Sequence, residues 1–315
     1  SNHSHPGATL GLCMIVRDEE LLLGDCLSFA REFVDEIVVV DTGSQDQTIE
    51  IARRYGSSVY EFPWCDDFSA ARNYALDQLT SDFVLILDAD ERLGPGAGQH
   101  IRTLISEHRD SDETTLYLAR FENIDAEGRH MGGEYVARLW RADPKLRYEG
   151  LVHEQLVHED EQLNYRLEDN FHIVHFGDDP GLAEARGKRK RNIDLLTRGL
   201  AQQPDDPYLR YQLAREQYAA GLFESALEAF KWLIEESQAS SLVLNAYLFG
   251  SECLRAMKCP LDAMALALEG TEHAPDYGEL WYAFARAALE AGKGYRAEAG
   301  FKNAKRVPSG LASIA

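Results

Sequence analysis

Two carboxylates one residue apart, Asp88 and Asp90, with Glu91 directly after them, close the apolar run 83–87. Hard oxygen donors at that spacing suit Mg²⁺ or Mn²⁺ held between protein and a diphosphate. The run preceding them is apolar at every position and reads as a strand covered on both faces. Its acidic end therefore leaves the sheet at the carboxyl edge, where open α/β folds bind ligands. An acidic pair of this kind also occurs in plain surface turns, so the neighbouring segments have to decide. Residues 9–16 read as another strand, which ends in Arg17, Asp18, Glu19 and Glu20, and the run from 36 to 40 reads as a third, which ends in Asp41. Three acidic strand ends are thus expected on one crevice.

The elements that must position them alternate. Between the first two runs, Leu21, Leu22, Leu23, Cys26, Leu27, Phe29 and Ala30 form the apolar stripe of a helix. Residues 49–55 read as a second helix and 58–62 as a third strand. Strand-helix alternation predicts right-handed crossovers and a mostly parallel sheet. Farther on, 115–123 and 135–141 alternate like paired strands across a turn at Gly132 and Gly133. The segments 148–155 and 171–177 follow.

The opening C-M-I-V-R-D-E-E at 13–20, V-V-V-D-T-G-S-Q-D-Q-T at 38–48, W-C-D-D-F-S-A-A-R-N at 64–73 and L-D-A-D-E at 87–91 resemble, in this order, the nucleotide-sugar-binding half of family 2 glycosyltransferases of the GT-A fold. The resemblance implies an α/β GT-A domain, Rossmann-like and mostly parallel, with a divalent cation, Mn²⁺ or Mg²⁺, as cofactor and a nucleotide-diphosphate sugar, of which a UDP-sugar is the first expectation, as donor. It assigns Asp41 to the base or ribose, since a carboxylate accepts from imide N–H or paired hydroxyls. Asp18, Glu19, Arg72, Asp88 and Ala89 fall on the donor side, and Asp90 on the metal. Glu154, in G-L-V-H-E, takes the place of the family's base for an inverting transfer. His175 is the expected late histidine at the ion; His153, Asp67 and Asn73 are second-rank candidates. His172, on the opposite strand face from His175, is expected to stand apart. The acceptor is expected to meet the loops between about 93 and 147.

After 177 the chain becomes rich in Ala, Leu and Glu at helical spacing. Ala214, Gly250 and Ala285 recur at 36 and 35 residues, with Tyr218, Phe230, Phe249, Phe284 and Phe301 around them. That period resembles about three tetratricopeptide repeats, with Pro204, Pro275 and Pro308 at inter-helix turns. The expected domains are 8–178, GT-A, and 179–315, all-α and tetratricopeptide-like. The combination is similar to sublancin-type peptide S-glycosyltransferases, which makes a peptide, protein or glycan acceptor the expectation, with a homo-oligomer or a protein partner engaged through the repeats. A nucleotide-sugar-binding interaction module with little turnover is the alternative. A nucleotidyltransferase fits less well, because no Gly-rich, Lys- or Arg-bearing phosphate loop follows the first strand.

A net charge of −21 argues against nucleic acid or an anionic membrane as main partner. The basic run 186–191 reads as a helix face that neutralises the acidic catalytic domain. Five cysteines without a C-x-x-C pair suit a reducing, cytoplasmic setting, and the resemblance to sublancin-type enzymes implies a bacterial one. With no long apolar segment and no signal peptide, an integral membrane synthase is not expected. Residues 1–7 read as a tag or frayed end.

Overall fold

Leu10, Leu12, Met14 and Val16 of the first strand, β1 (Leu10–Val16), fall in one apolar cluster, while Cys13 falls in another on the opposite side. The same alternation divides β2 (Glu36–Asp41) and β4 (Phe83–Ile86), so these strands are buried on both faces. Each Leu taken fully out of water contributes about 2 kcal/mol. One face is covered by α1 (Leu23–Ala30), α2 (Thr48–Arg54) and α4 (Ala97–Glu107), the other by α3 (Phe68–Asp77). In α1 the buried residues are Leu23, Cys26, Leu27 and Ala30. Leu21 and Phe29, expected in that stripe, are exposed. Leu21 precedes the helix, and Phe29 lies two residues, about 200° of rotation, from Leu27, which turns it away from the buried stripe.

This computed structural model describes residues 7–109, 114–124, 130–176 and 183–306. The remaining strands are β3 (Ser58–Glu61), β5 (Glu91–Leu93), β6 (Thr115–Ile124), β7 (His130–Arg141), β8 (Leu146–Glu149), β9 (Gln155–His158) and β10 (Asn164–Phe176). The main sheet has the order β3-β2-β1-β4-β7-β6-β10-β5. Its first four strands are mutually parallel, β7 enters antiparallel to β4 and β6, β10 runs parallel to β6, and β5 closes antiparallel to β10. The chain moves outward from β1 to β3 and then returns to the other side of β1 as β4. That reversal is the topological switch point at which open α/β sheets hold ligands.

Gly132 and Gly133, expected in a turn, lie inside β7. A Cβ on Gly133 would stand 2.6 Å from the Phe121 carbonyl oxygen, so a close backbone approach explains that glycine. The residues that join β6 to β7, 125–129, are outside the described ones, as are 1–6 and Pro308.

Contacts divide the chain into two compact units, the second beginning at Ala183. The boundary expected between 178 and 179 lies outside the described residues. After α5 (Ala183–Gln202) the second unit holds three helical hairpins: α6 (Pro207–Ala219) with α7 (Phe223–Glu236), α8 (Ser240–Ala256) with α9 (Pro260–His273), and α10 (Gly278–Glu290) with α11 (Gly294–Arg306). Ala214, Gly250 and Ala285 sit at equivalent buried places on α6, α8 and α10. A Cβ on Gly250 would stand 3.0 Å from Leu266, which shows how closely α8 meets α9. Pro204 and Pro275 fall in turns as expected. In the basic run, Arg189 pairs with Glu216 of α6, a carboxylate of its own unit.

Candidate active site at the carboxyl edge of the sheet

Asp88 leaves the end of β4 in a tight turn. Its backbone N–H donates to the Glu91 carboxylate at 3.0 Å, and Glu91 N–H donates back to the Asp88 carbonyl at 3.0 Å. Two guanidinium groups grip the Asp88 side chain: Arg72 Nη2 lies 3.2 Å from Oδ1, and Arg138 Nη2 lies 3.4 Å from Oδ2. Arg138 also pairs closely with Glu91, and Arg72 with Glu154. Three carboxylates and two guanidiniums thus form one charge cluster, with Arg72 beside the Tyr148 ring and Arg138 beside Phe121.

Local sequence delivers each member. Asp67 caps α3 by accepting from Ala70 N–H at 2.9 Å, fixing the helix start five residues before Arg72. Asn73 bonds the Tyr148 backbone twice, its amide to the carbonyl and its oxygen to the N–H, each at 2.9 Å. Phe68 N–H donates to Leu151, and Ser69 to Gly150. The 148–154 loop is therefore stitched to α3, which brings Glu154 to Arg72. Gly150 at φ 106° and His153 at φ 54° bend that loop through the left-handed region. Asp67 and Asn73 thus have defined structural partners, and His153 lies in the bend directly before Glu154.

Arg138, which sequence reasoning passed over, owes its aim to a bulge. Tyr117 pairs with Leu139 but the next residue, Leu118, pairs with Ala137, which leaves Arg138 as the extra residue of β7. Burial works against the charge on Arg72 and Arg138. The carboxylates outweigh it, Asp88 and Glu154 around Arg72 and Glu91 and Asp88 around Arg138, so both stay firmly protonated. Burial pushes Glu91 up to about 7, against the pull of Arg138.

Asp90 faces a different partner. Because β5 pairs antiparallel with β10, His175 stands opposite Glu91, and Phe176 N–H donates to the Asp90 carbonyl at 3.0 Å. His175 Nε2 lies 3.3 Å from Asp90 Oδ2, and Nδ1 lies 2.9 Å from Asn123 Oδ1. The hydrogen bond to Asp90 raises the His175 pKa, with burial opposing. With Nδ1–H donating to Asn123, Nε2 is the nitrogen that faces Asp90. Adjacent ligands of an octahedral ion stand about 3 Å apart, so this O/N pair fits one edge of such a shell. Among the described residues no group of three or more His, Cys, Asp or Glu is arranged to hold a metal.

Asp41 is buried at the end of β2. Its Oδ2 accepts from Gly43 and Ser44 N–H at 2.9 and 3.0 Å, while Oδ1 is buried without a hydrogen-bond partner. Asp18, at φ 55°, accepts from Gln45 N–H at 2.7 Å, and Glu19 N–H donates to Thr48 Oγ1 at 2.7 Å. These bonds tie the end of β1 to the loop after β2. Ala89 is buried, and its carbonyl accepts from Arg92 at 2.6 Å. His172 packs against Gly94, where it leaves no room for a Cβ.

Comparison with known proteins places the chain in a family. A TPR repeat-containing protein of Synechococcus elongatus is 32% identical over 264 residues, covering 81% of this chain and 64% of that one. The SPbeta prophage-derived glycosyltransferase SunS of Bacillus subtilis is 26% identical over 236 residues, covering 72% and 53%. The chain thus spans less than two thirds of the length of either relative. Among solved structures, MamA MSR-1 C2 matches at 19% identity over 39% of this chain and 69% of that one, with a TM-score of 0.35, a likeness too distant to argue from. The profile described as Glycosyl transferase family 2 matches residues 12–177, more than half of the chain, which therefore belongs to that family.

Proposed function

We propose that the chain transfers a sugar from a nucleotide-diphosphate donor, of the UDP type, to a peptide, protein or glycan acceptor, with inversion at the anomeric carbon and dependence on Mn²⁺ or Mg²⁺. The observation that carries this reading is the meeting of two differently partnered carboxylates at one strand edge. Asp88 is locked by Arg72 and Arg138, and Asp90 faces His175. The cation, held by Asp90 and His175, supplies charge neutralisation for the departing diphosphate. Asp41 supports the assignment of the nucleoside end, since its unpartnered buried oxygen lacks the donor that an imide or a ribose hydroxyl provides.

Glu154 takes the acceptor proton as the nucleophile attacks the anomeric carbon, the carbon–oxygen bond to the diphosphate breaks, and nucleoside diphosphate leaves. Arg72 orients Glu154 and stands ready for the donor's oxyanions, a task that suits a forked guanidinium. Asp18, Glu19 and Ala89 shape the donor side through backbone ties. No helix among the described residues is long and apolar enough to cross a membrane. The free thiols at Cys13, Cys26, Cys65, Cys253 and Cys259 fit a reducing compartment, the bacterial cytoplasm in this reading.

Incubating the chain with UDP-sugars, Mn²⁺ and candidate acceptor peptides, with UDP release as readout, tests the reading. Release that needs Mn²⁺ and an acceptor, and that Glu154→Gln suppresses while donor binding persists, is the expected result. Donor binding with no transfer to any acceptor and no hydrolysis favours the interaction-module alternative.

A further inference from the structure

On β8 the side chains of Leu146 and Tyr148 turn inward, into the apolar cluster that holds Cys13, Ile86 and Trp140. The Trp140 ring meets the Tyr148 ring edge-on at 6.2 Å, and the Arg72 guanidinium lies 5.5 Å from the Tyr148 ring centre. Asn73 holds the Tyr148 backbone through both its N–H and its carbonyl. The ring is therefore fixed in place, and the residue is only 8% exposed.

The hydroxyl at the tip of that ring lies in the field of Arg72, Arg138 and Glu154. Burial pushes the phenol up, against the pull of the two guanidiniums, so it stays an O–H. It has no hydrogen-bond partner among the described residues. Buried polar groups in folded proteins are nearly always paired, so an unpaired one beside a crevice marks a place for a ligand atom. Asp88, gripped by the same two arginines, keeps 35% of its side chain exposed, so the crevice opens to solvent there.

Position and chemistry narrow that ligand atom. With Glu154 at the anomeric carbon and Asp88 on the donor side, a hydroxyl among Arg72, Arg138 and Glu154 lies against the sugar. The diphosphate has the cation and Arg72 to meet its charge, and its oxygens only accept. A phenol both donates and accepts, as a sugar hydroxyl does.

Building on the donor reading above, we propose that the Tyr148 hydroxyl hydrogen-bonds a hydroxyl of the transferred sugar. Tyr148 is then a donor-binding residue that selects the sugar and not the nucleotide.

Calorimetric titration of the full chain with UDP, UDP-glucose, UDP-galactose and UDP-N-acetylglucosamine, each with Mn²⁺, compares the parent with Tyr148→Phe. UDP affinity is expected to stay within about twofold, whereas the UDP-sugar that the parent binds best should weaken about tenfold, as expected for the loss of one neutral hydrogen bond. The melting curve should not move, because the hydroxyl bonds nothing in the fold. Monodeoxy analogues of that donor supply a second arm. One of them should bind the parent about tenfold more weakly than the full donor, and Tyr148→Phe should erase the difference. An equal loss for UDP assigns the phenol to the nucleotide and overturns the proposal. So do unchanged affinities for all three UDP-sugars, a deoxy penalty that persists in Tyr148→Phe, or a lowered melting temperature, which would make the hydroxyl structural. A parent that binds neither UDP nor any of the three UDP-sugars with Mn²⁺ fails the donor reading itself, and the proposal falls with it.

Discussion

The sheet unit and the helical unit bring their charged side chains together from different frameworks. Around Asp88 the sheet unit draws Arg72, Arg138, Glu91 and Glu154 into a shielded cluster, each placed by a different element. In the helical unit, Arg255 and Glu252, largely buried, pair with the more exposed Glu290 and Arg286 across only two helices, α8 and α10, while Ala, Leu and Phe at repeating positions form the core. Buried ion pairs add little net stability, and apolar replacements of similar volume often do as well or better. A cluster of that kind marks the place where geometry matters more than stability. The helical unit distributes its stability among repeats and their interfaces, so single changes there act on folding first.

The contrast is sharpest at Asp90. Asp90→Asn should lower Mn²⁺-dependent turnover by more than about 1,000-fold with an unaltered melting temperature; a variant that keeps its rate removes Asp90 from the metal. Glu154→Gln should reduce transfer by about 100- to 10,000-fold and donor affinity by much less, and equal losses in a paired rate and calorimetry measurement would make Glu154 a structural residue.

In the helical unit, Phe230→Ala should cost about 3–5 kcal/mol of stability, seen as a lower denaturation midpoint. Back in the sheet unit, the double variant Arg138→Met with Glu91→Leu should melt within a few degrees of the parent yet turn over about 100-fold more slowly, because Asp88 loses its anchor. Retained activity in that folded variant would reduce the cluster to packing.

The smallest effect concerns Lys258. It adopts φ 62° between the helices of the second hairpin, where the first and third have Gly221 at 78° and Gly292 at 72°. Lys258→Gly should relieve about 1 kcal/mol of backbone strain, partly offset by the freedom glycine gains on unfolding, and a fall in melting temperature would show that the turn has another tie.

Sequence reasoning reached the strands and hairpins because their periods are regular. Short runs dominated by apolar residues marked β1, β2 and β4, and small residues 36 and 35 apart marked the repeats. It also brought Arg72, Asp88 and Glu154 to one edge, and Asp90 to His175, through family motifs rather than pattern. What it passed over lies at breaks in period. Arg138 is a bulge residue, so strict alternation misdirects its side chain. Glu91 seemed only the tail of an acidic turn, yet it anchors the Asp88 backbone from inside the core. Asn123 orients His175 from a neighbouring strand, a relation that register alone creates. Gly132 and Gly133 imitated a turn, yet they lie within β7, where Gly133 serves a close strand approach.

The proposed transfer requires a cation shared between Asp90, His175 and a donor diphosphate. Calorimetric titration of UDP into the chain, with Mn²⁺ and then with chelator, for the parent and for Asp90→Asn, tests that most directly. Binding that requires Mn²⁺ and is lost in Asp90→Asn is the predicted result. Equal binding of UDP in chelator, or an unchanged Mn²⁺ requirement in Asp90→Asn, contradicts it.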